Sequence, residues 1–232
     1  KIAFEKSGIL REKIPVIISK QKYNKAMETI LKRASSIKAK VINTEKISSR
    51  IKIGLKGKHQ YENASTAYTA AKQLLPSMCS LKTKDALKKV SWHGRIENID
   101  QGEITKYRKN ITILDGSHNQ DGAYVLSEYL KQKPLLKWNL IIGMLNNRDI
   151  KSFVNTFKQH IHKAFVISIP NVYNSYEPND IFSRLIETGI ETHPMGSFEE
   201  ALKYADKETP LLITGSLYLA GYALKFNNTK IV

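Results

Sequence analysis

The stretch Leu114-Asp115-Gly116-Ser117-His118-Asn119-Gln120-Asp121-Gly122 gathers carboxylates, a histidine, an amide and glycines in one short span. An apolar β-branched run, Ile111 to Leu114, leads into it, and a helical pattern follows, with Ala123, Val125, Leu126, Tyr129 and Leu130 on one face. A strand ending in an acid, then glycine, then a helix start is the layout of an α/β phosphate or nucleotide site. Ligands in such sheets sit at the carboxyl ends of the strands, where Asp115, His118 and Asn119 would crowd. The plainer reading is a strand–helix turn whose polar residues cap the helix. On these nine residues alone the plainer reading has the edge, because short motifs match by chance.

Other stretches carry chemistry of their own, each with a plain alternative. Asn63 follows the Gly57-Lys58-His59-Gln60 turn; its amide is donor and acceptor, which suits an adenine edge or a helix cap. Arg95 follows Trp92 and Gly94. Its planar fork suits a phosphate, or a structural pair with Glu97 or Asp100. Ser216, in Thr214-Gly215-Ser216-Leu217-Tyr218, can offer its hydroxyl and a helix N-terminus to a carboxylate, or simply cap the helix. His118 reads equally as a cap or a packed ring. Lys6, between Glu5 and Gly8, is by residue type an ordinary surface lysine. Gly54-Leu55-Lys56-Gly57-Lys58 imitates the core of a P-loop, but His59-Gln60 follows where a Ser or Thr would hold magnesium, so it is not a phosphate cradle.

The elements that must position these residues follow from periodicity. The first part predicts a strand at Pro15 to Ser19 and a helix at Tyr23 to Ile37, with Ala26, Met27, Ile30, Leu31 and Ala34 on one stripe. A short strand at Lys40 to Asn43 and a strand or hairpin arm at Ile47 to Leu55, with Ile51 and Ile53 inward, come next. Helices at Tyr61 to Leu75, stopped by Pro76, and at Thr83 to Val90 complete it. Ser91 to Arg95 reads as a hinge. Beyond it the expected order is strand 111–115, helix 121–132, strand 138–143, helix 149–161, strand 163–169, helix 179–188, helix 197–206, strand 210–214 and helix 216–225. Alternating strands and helices imply an α/β fold with a mostly parallel sheet covered on both faces. Asp100 to Asn110 reads as an exposed polar hairpin or loop.

Composition bounds the rest. The chain has 232 residues, enough for one good core or two modest ones, and 41% are hydrophobic, as in ordinary globular proteins. The formal net charge of +16 fits either an anionic partner or plain lysine-rich usage; pairs such as Lys32-Arg33 and Lys88-Lys89 are scattered, which favours solvated faces. The single cysteine, Cys79, excludes an internal disulfide framework, fits a reducing cytoplasmic compartment, and reads as a buried spectator. No apolar run reaches the length of a membrane span, and no secretory signal opens the sequence. The first residue is not Met, so the chain is expected to begin inside something longer or to have been trimmed.

Five stretches stand in register: Ile2-Ala3-Phe4-Glu5-Lys6-Ser7-Gly8-Ile9, Gly57-Lys58-His59-Gln60-Tyr61-Glu62-Asn63-Ala64, Trp92-His93-Gly94-Arg95-Ile96-Glu97, Leu114 to Asn119, and Ile213-Thr214-Gly215-Ser216-Leu217-Tyr218-Leu219-Ala220. In this order they resemble the folylpolyglutamate synthase/dihydrofolate synthase family of Mur-type ATP-dependent amide ligases. The resemblance implies that residues 1–91 are the tail of the central ATP-binding domain and 92–232 a Rossmann-like C-terminal domain. It implies a ligase that uses ATP and Mg2+ to add L-glutamate to (tetrahydro)folate or dihydropteroate through an acyl phosphate. Asn63, Arg95 and Asp115 would then bind ATP, and His118 and Ser216 the incoming glutamate, with His118 also catalytic. Lys6 would be carbamylated, catalytic and metal-holding. Ser7 stands where the family usually has Ala. Asn147 and Arg148, in Gly143 to Asp149, replace a usual Asp and Lys, which puts that loop's role in doubt.

In the resembling enzymes a Gly-rich P-loop and metal-binding Glu and His precede the Lys6 motif. The chain alone is therefore expected to be inactive unless an N-terminal fragment complements it. A monomer is expected, with no membrane and no nucleic acid as partner. The alternatives are another Mur-type amino-acid ligase, a basic nucleic-acid-binding protein with its Lys and Arg gathered on one face, and an inert gene remnant.

Overall fold

The computed structural model describes residues 1–77, 80–133 and 137–230; Cys79 and the reading given to it lie outside them. The chain divides into two compact units, Lys1–Ser91 and Trp92–Val232.

In the first unit a short helix α1 (Ile2–Ser7) precedes β1 (Val16–Ile18), helix α2 (Asn24–Ser36), β2 (Val41–Asn43), α3 (His59–Leu74) and α4 (Ser80–Lys89). Strands β1 and β2 pair in parallel, Val16 opposite Val41. On α2, Ala34 is buried and Ala26, Met27 and Ile30 are half-buried, as their spacing predicts, but Leu31 is 41% exposed. The expected strand at Ile47 to Leu55 is not formed. Its backbone finds partners elsewhere: Ile47 N donates to Ser65 Oγ, Ile51 N to Ser48 O, and Gly54 N to Leu87 O. With those donors taken by α3, a turn and α4, no ladder can run, although Ile51 and Ile53 still turn half inward.

The second unit contains a six-stranded sheet in the order β3-β4-β8-β5-β6-β7. Its strands are β3 (Glu97–Asn98), β4 (Thr112–Leu114), β5 (Trp138–Ile142), β6 (Ile161–Val166), β7 (Glu191–Pro194) and β8 (Leu211–Thr214). Only β3, the edge strand, pairs antiparallel; the others are parallel, as expected for an α/β alternation. Successive strand residues face opposite sides. Ile113, Leu140, Ile142, Ala164, Val166 and Leu212 meet residues of α5 (Gln120–Leu130), α6 (Ile150–Asn155) and α7 (Pro178–Ile186). Leu114, Ile141, Phe165, Leu211 and Ile213 meet residues of α8 (Phe198–Tyr204) and α9 (Leu217–Phe226). The sheet is thus covered on both faces.

Four parts of this unit depart from their sequence reading. The helix expected over 149–161 stops at Asn155, and β6 begins at Ile161, two residues earlier than expected. Strand β7 has the polar sequence Glu-Thr-His-Pro and no strand signature. It forms because each residue has a cross-strand partner on β6: Lys163 bonds Glu191 at 2.8 Å, and Phe165 stacks on His193 with centroids 5.6 Å apart. The Asp100–Asn110 insertion is not an exposed loop. Ile104 is fully buried, Arg108 is 7% exposed, and Asn227 fastens the segment by accepting from Ile104 N and donating to Gln101 O.

Candidate functional site

Three loops meet at the carboxyl edge of the second unit's sheet. The first, His93 to Ile96, precedes β3; the second, Asp115 to Asn119, follows β4; the third, Gly215 and Ser216, follows β8. They are joined through their backbones. Gly116 N donates to Gly94 O at 2.8 Å, and Gly215 N donates to Ser117 O at 3.1 Å. The second and third loops sit here because parallel strands deliver their carboxyl ends to one edge, and the first because β3 runs antiparallel and so starts at that edge.

Asp115 is the hub. It is 4% exposed, and both carboxylate oxygens are engaged: Oδ2 accepts from Ile96 N at 3.0 Å and Oδ1 from Ser117 N at 2.9 Å. Its first task is therefore to fasten the Arg95 turn to the end of β4. Arg95 itself is exposed, and its guanidinium makes no hydrogen bond or ion pair with the described residues. The structural pair with Glu97 does not form, because Glu97 is used otherwise: Oε1 meets His93 Nδ1 at 2.7 Å and Oε2 accepts from Gly94 N at 2.8 Å. A cation held by its backbone and left open at its head is suited to an anionic ligand.

The backbone of this turn is unusual. Gly94 has φ +69°, which glycine adopts freely. Ile96 has φ +49°, and for a β-branched residue the left-handed region is an outlier that costs about 1–3 kcal/mol. Arg95 lies between these two residues. Sequence reasoning singled out Arg95 but missed the tethers; the one available signal was the three-residue spacing of Gly94 and Glu97, which lets a carboxylate reach back to an amide.

His118 is half-buried, with Nδ1 3.1 Å from Gly116 O. A carbonyl can only accept, so Nδ1 carries the proton and Nε2 of the neutral ring is left as an acceptor. Asn119 caps α5, its Oδ1 accepting from Gly122 N at 2.9 Å. Ser216 is 3% exposed and caps α9, its Oγ accepting from Tyr218 N at 3.0 Å. Gly215 permits this packing: at φ +116° a Cβ there would lie 2.7 Å from Gly143 O. Arg95, Asp115, His118 and Ser216 therefore share one edge of one sheet.

Lys6 and Asn63 belong to the first unit. Lys6 is exposed on α1. Asn63 is not a cap, because α3 begins at His59; its Nδ2 donates to Gln60 Oε1 at 3.1 Å. Both amides line a cavity of about 160 Å³ whose other walls are Ile53, Leu55, Ala64, Ala67, Leu87 and Val90. Apolar walls with a donor–acceptor pair on one side suit a flat heterocycle.

A family model described as Dihydrofolate synthetase, C-terminal domain, matches residues 97–226, more than half of the chain. The chain belongs to the folylpolyglutamate synthase/dihydrofolate synthase family. A folylpolyglutamate synthase of Saccharomyces cerevisiae (strain FostersO) is 22% identical over 270 residues, covering 95% of this chain and 48% of the yeast protein. The structure of Mycobacterium tuberculosis folylpolyglutamate synthase complexed with ADP superposes with a TM-score of 0.86 at 18% identity, over 100% of this chain and 59% of that one. A bifunctional folylpolyglutamate synthase/dihydrofolate synthase with Mn, AMPPNP and L-glutamate bound gives a TM-score of 0.77 at 16% identity, over 97% and 56%. These likenesses show the fold. The chain spans about half the length of the curated relatives it matches. No helix among the described residues is long and apolar enough to cross a membrane. Family membership displaces the nucleic-acid reading of the basic charge.

Proposed function

We propose that the chain supplies the nucleotide-facing sheet edge of an ATP-dependent ligase that joins L-glutamate to a folate or dihydropteroate. The observation that carries this reading is Arg95: an exposed guanidinium with no partner among the described residues, presented by a turn whose Ile96 N is bonded to buried Asp115 at the carboxyl edge of the sheet. Of the similar solved structures, one is complexed with ADP and another has Mn, AMPPNP and L-glutamate bound.

In the proposed reaction the substrate's carboxylate attacks the γ-phosphorus of ATP, giving an acyl phosphate and ADP. The glutamate amine then attacks the acyl carbon, phosphate leaves, and an amide remains. Arg95 would neutralise charge on the transferred phosphoryl group. His118 Nε2, left with a lone pair, would take the proton from the attacking amine. Ser216 and the start of α9 would face a glutamate carboxylate. Asn63, on the cavity of the first unit, would read the adenine edge. Among the described residues no group of three His, Cys, Asp or Glu side chains could hold a metal. Lys6, if carbamylated, would contribute a single ligand, so Mg2+ would enter chiefly on the nucleotide's phosphates. Turnover is assigned to the whole ligase fold, of whose curated relatives' length the chain spans about half.

Titration calorimetry of the chain with Mg-ATP tests the nucleotide role. Arg95→Ala is expected to raise Kd about tenfold, the usual size for one charge-assisted contact to phosphate. Equal Kd values for the two proteins would remove Arg95 from the site.

A further inference from the structure

We propose that Glu97 is a positioning residue for Arg95, acting through the backbone of the turn that presents it. The proposal rests on the nucleotide role given to Arg95 above. Three observations carry it. Glu97 spends both carboxylate oxygens inside the turn, on Gly94 N at 2.8 Å and His93 Nδ1 at 2.7 Å, and spends neither on the arginine two residues before it. Arg95 is flanked by two left-handed residues, Gly94 at φ +69° and Ile96 at φ +49°, a backbone that does not persist without restraint. Finally, the other side of the turn is tied down independently, by Asp115 Oδ2 on Ile96 N and by Gly116 N on Gly94 O.

The division of labour follows from these bonds. Asp115 and Gly116 fix where the turn sits on the sheet. Glu97, the first residue of β3 and paired with Leu114 of β4, fixes its internal shape. A strained loop held by more bonds than its fold requires is a common way to pre-set a side chain for a ligand, because the ordering cost is met before binding. Without Glu97 the amide side of Gly94 is released while its carbonyl stays on Gly116 N, and Arg95 samples more directions. The arginine would still be charged and exposed, and its contribution to binding would fall because it must be ordered anew.

A double-mutant cycle on Mg-ATP affinity decides the matter, using the full chain and titration calorimetry. Glu97→Ala is expected to raise Kd about tenfold in the wild-type background and by less than about twofold when Arg95 is already Ala. Glu97→Gln, which keeps one acceptor oxygen, is expected to lie between wild type and Glu97→Ala, and it reports on the same question if the alanine variant does not fold. An equal loss in both backgrounds would show that Glu97 serves the fold and not Arg95, leaving the nucleotide role of Arg95 intact. A wild-type chain that binds no Mg-ATP, or an Arg95→Ala variant that binds like wild type, would overturn the nucleotide reading and this inference with it.

Discussion

Replacing Arg108 with Ala is expected to destabilise the second unit by about 3–5 kcal/mol. Arg108 is 7% exposed, and its guanidinium holds three backbone carbonyls: Nη1 donates to Ala205 O at 2.8 Å, and Nη2 donates to Asp206 O at 2.7 Å and to Thr209 O. These carbonyls lie on the chain between α8 and β8. The arginine therefore staples the Asp100–Asn110 insertion to the entrance of a central strand. Truncation takes the donor from the Ala205 and Thr209 carbonyls, each costing about 1–3 kcal/mol, while Asp206 O keeps Thr209 N at 3.2 Å; local relaxation and water entry reduce the sum. Burial pushes the guanidinium pKa down and the nearby Asp206 and Glu208 carboxylates oppose it, so the group keeps its charge through ordinary pH. Arg108→Lys keeps the charge and loses the fork, and is expected to recover only part of the loss. Urea unfolding followed by the fluorescence of buried Trp138 measures this directly. A midpoint unchanged by Arg108→Ala would mean that water already serves those carbonyls.

Asp115→Ala is expected to cost about 2–4 kcal/mol of stability and, separately, to abolish the Mg-ATP affinity that depends on Arg95. Two backbone amides lose their acceptor at once, Ile96 N and Ser117 N, and Ile96 is 2% exposed, so water cannot easily replace the carboxylate there. The release of strain at Ile96, about 1–3 kcal/mol, partly offsets the loss and keeps the figure moderate. Asp115→Asn distinguishes the carboxylate from the shape of the side chain. An amide offers one oxygen to one of the two N–H groups and turns an NH2 donor on the other, so the variant should fall between wild type and Asp115→Ala in thermal unfolding. If Asn matched Asp in both stability and nucleotide affinity, the carboxylate would not be the fastening that the bond pattern indicates.

Much of the second unit was legible in the residues alone. The runs Ile111–Leu114, Trp138–Ile142 and Leu211–Thr214 are apolar but for one residue each, Thr112, Asn139 and Thr214, as suits strands buried on both faces, and the helices between them carry one apolar stripe each. Their alternation dictates a parallel sheet, and a parallel sheet places Asp115, His118 and Ser216 at one edge without further information. Arg95 was legible as a residue type with a suitable chemistry, and the motif order carried the resemblance to a ligase family.

The tertiary structure decided what depends on partners distant in sequence. Strand β7 is polar and exists because β6 offers Lys163 and Phe165 opposite Glu191 and His193. The alternation of Ile47 to Leu55 pointed to a strand, but α3 and α4 took its hydrogen bonds before any neighbouring strand could. The polar Asp100–Asn110 segment looked solvated because its charge is visible locally, whereas the carbonyls that bury Arg108 lie about a hundred positions further along the chain. The same holds at the site: Asp115 and Glu97 were read as carboxylates facing a ligand or an arginine; both Asp115 oxygens bond backbone amides, and Glu97 divides its two between Gly94 N and His93 Nδ1. Side-chain type and period are properties of a few consecutive residues, so they survive in the sequence; the partner of a buried donor or acceptor is chosen by packing, and only the folded chain states it.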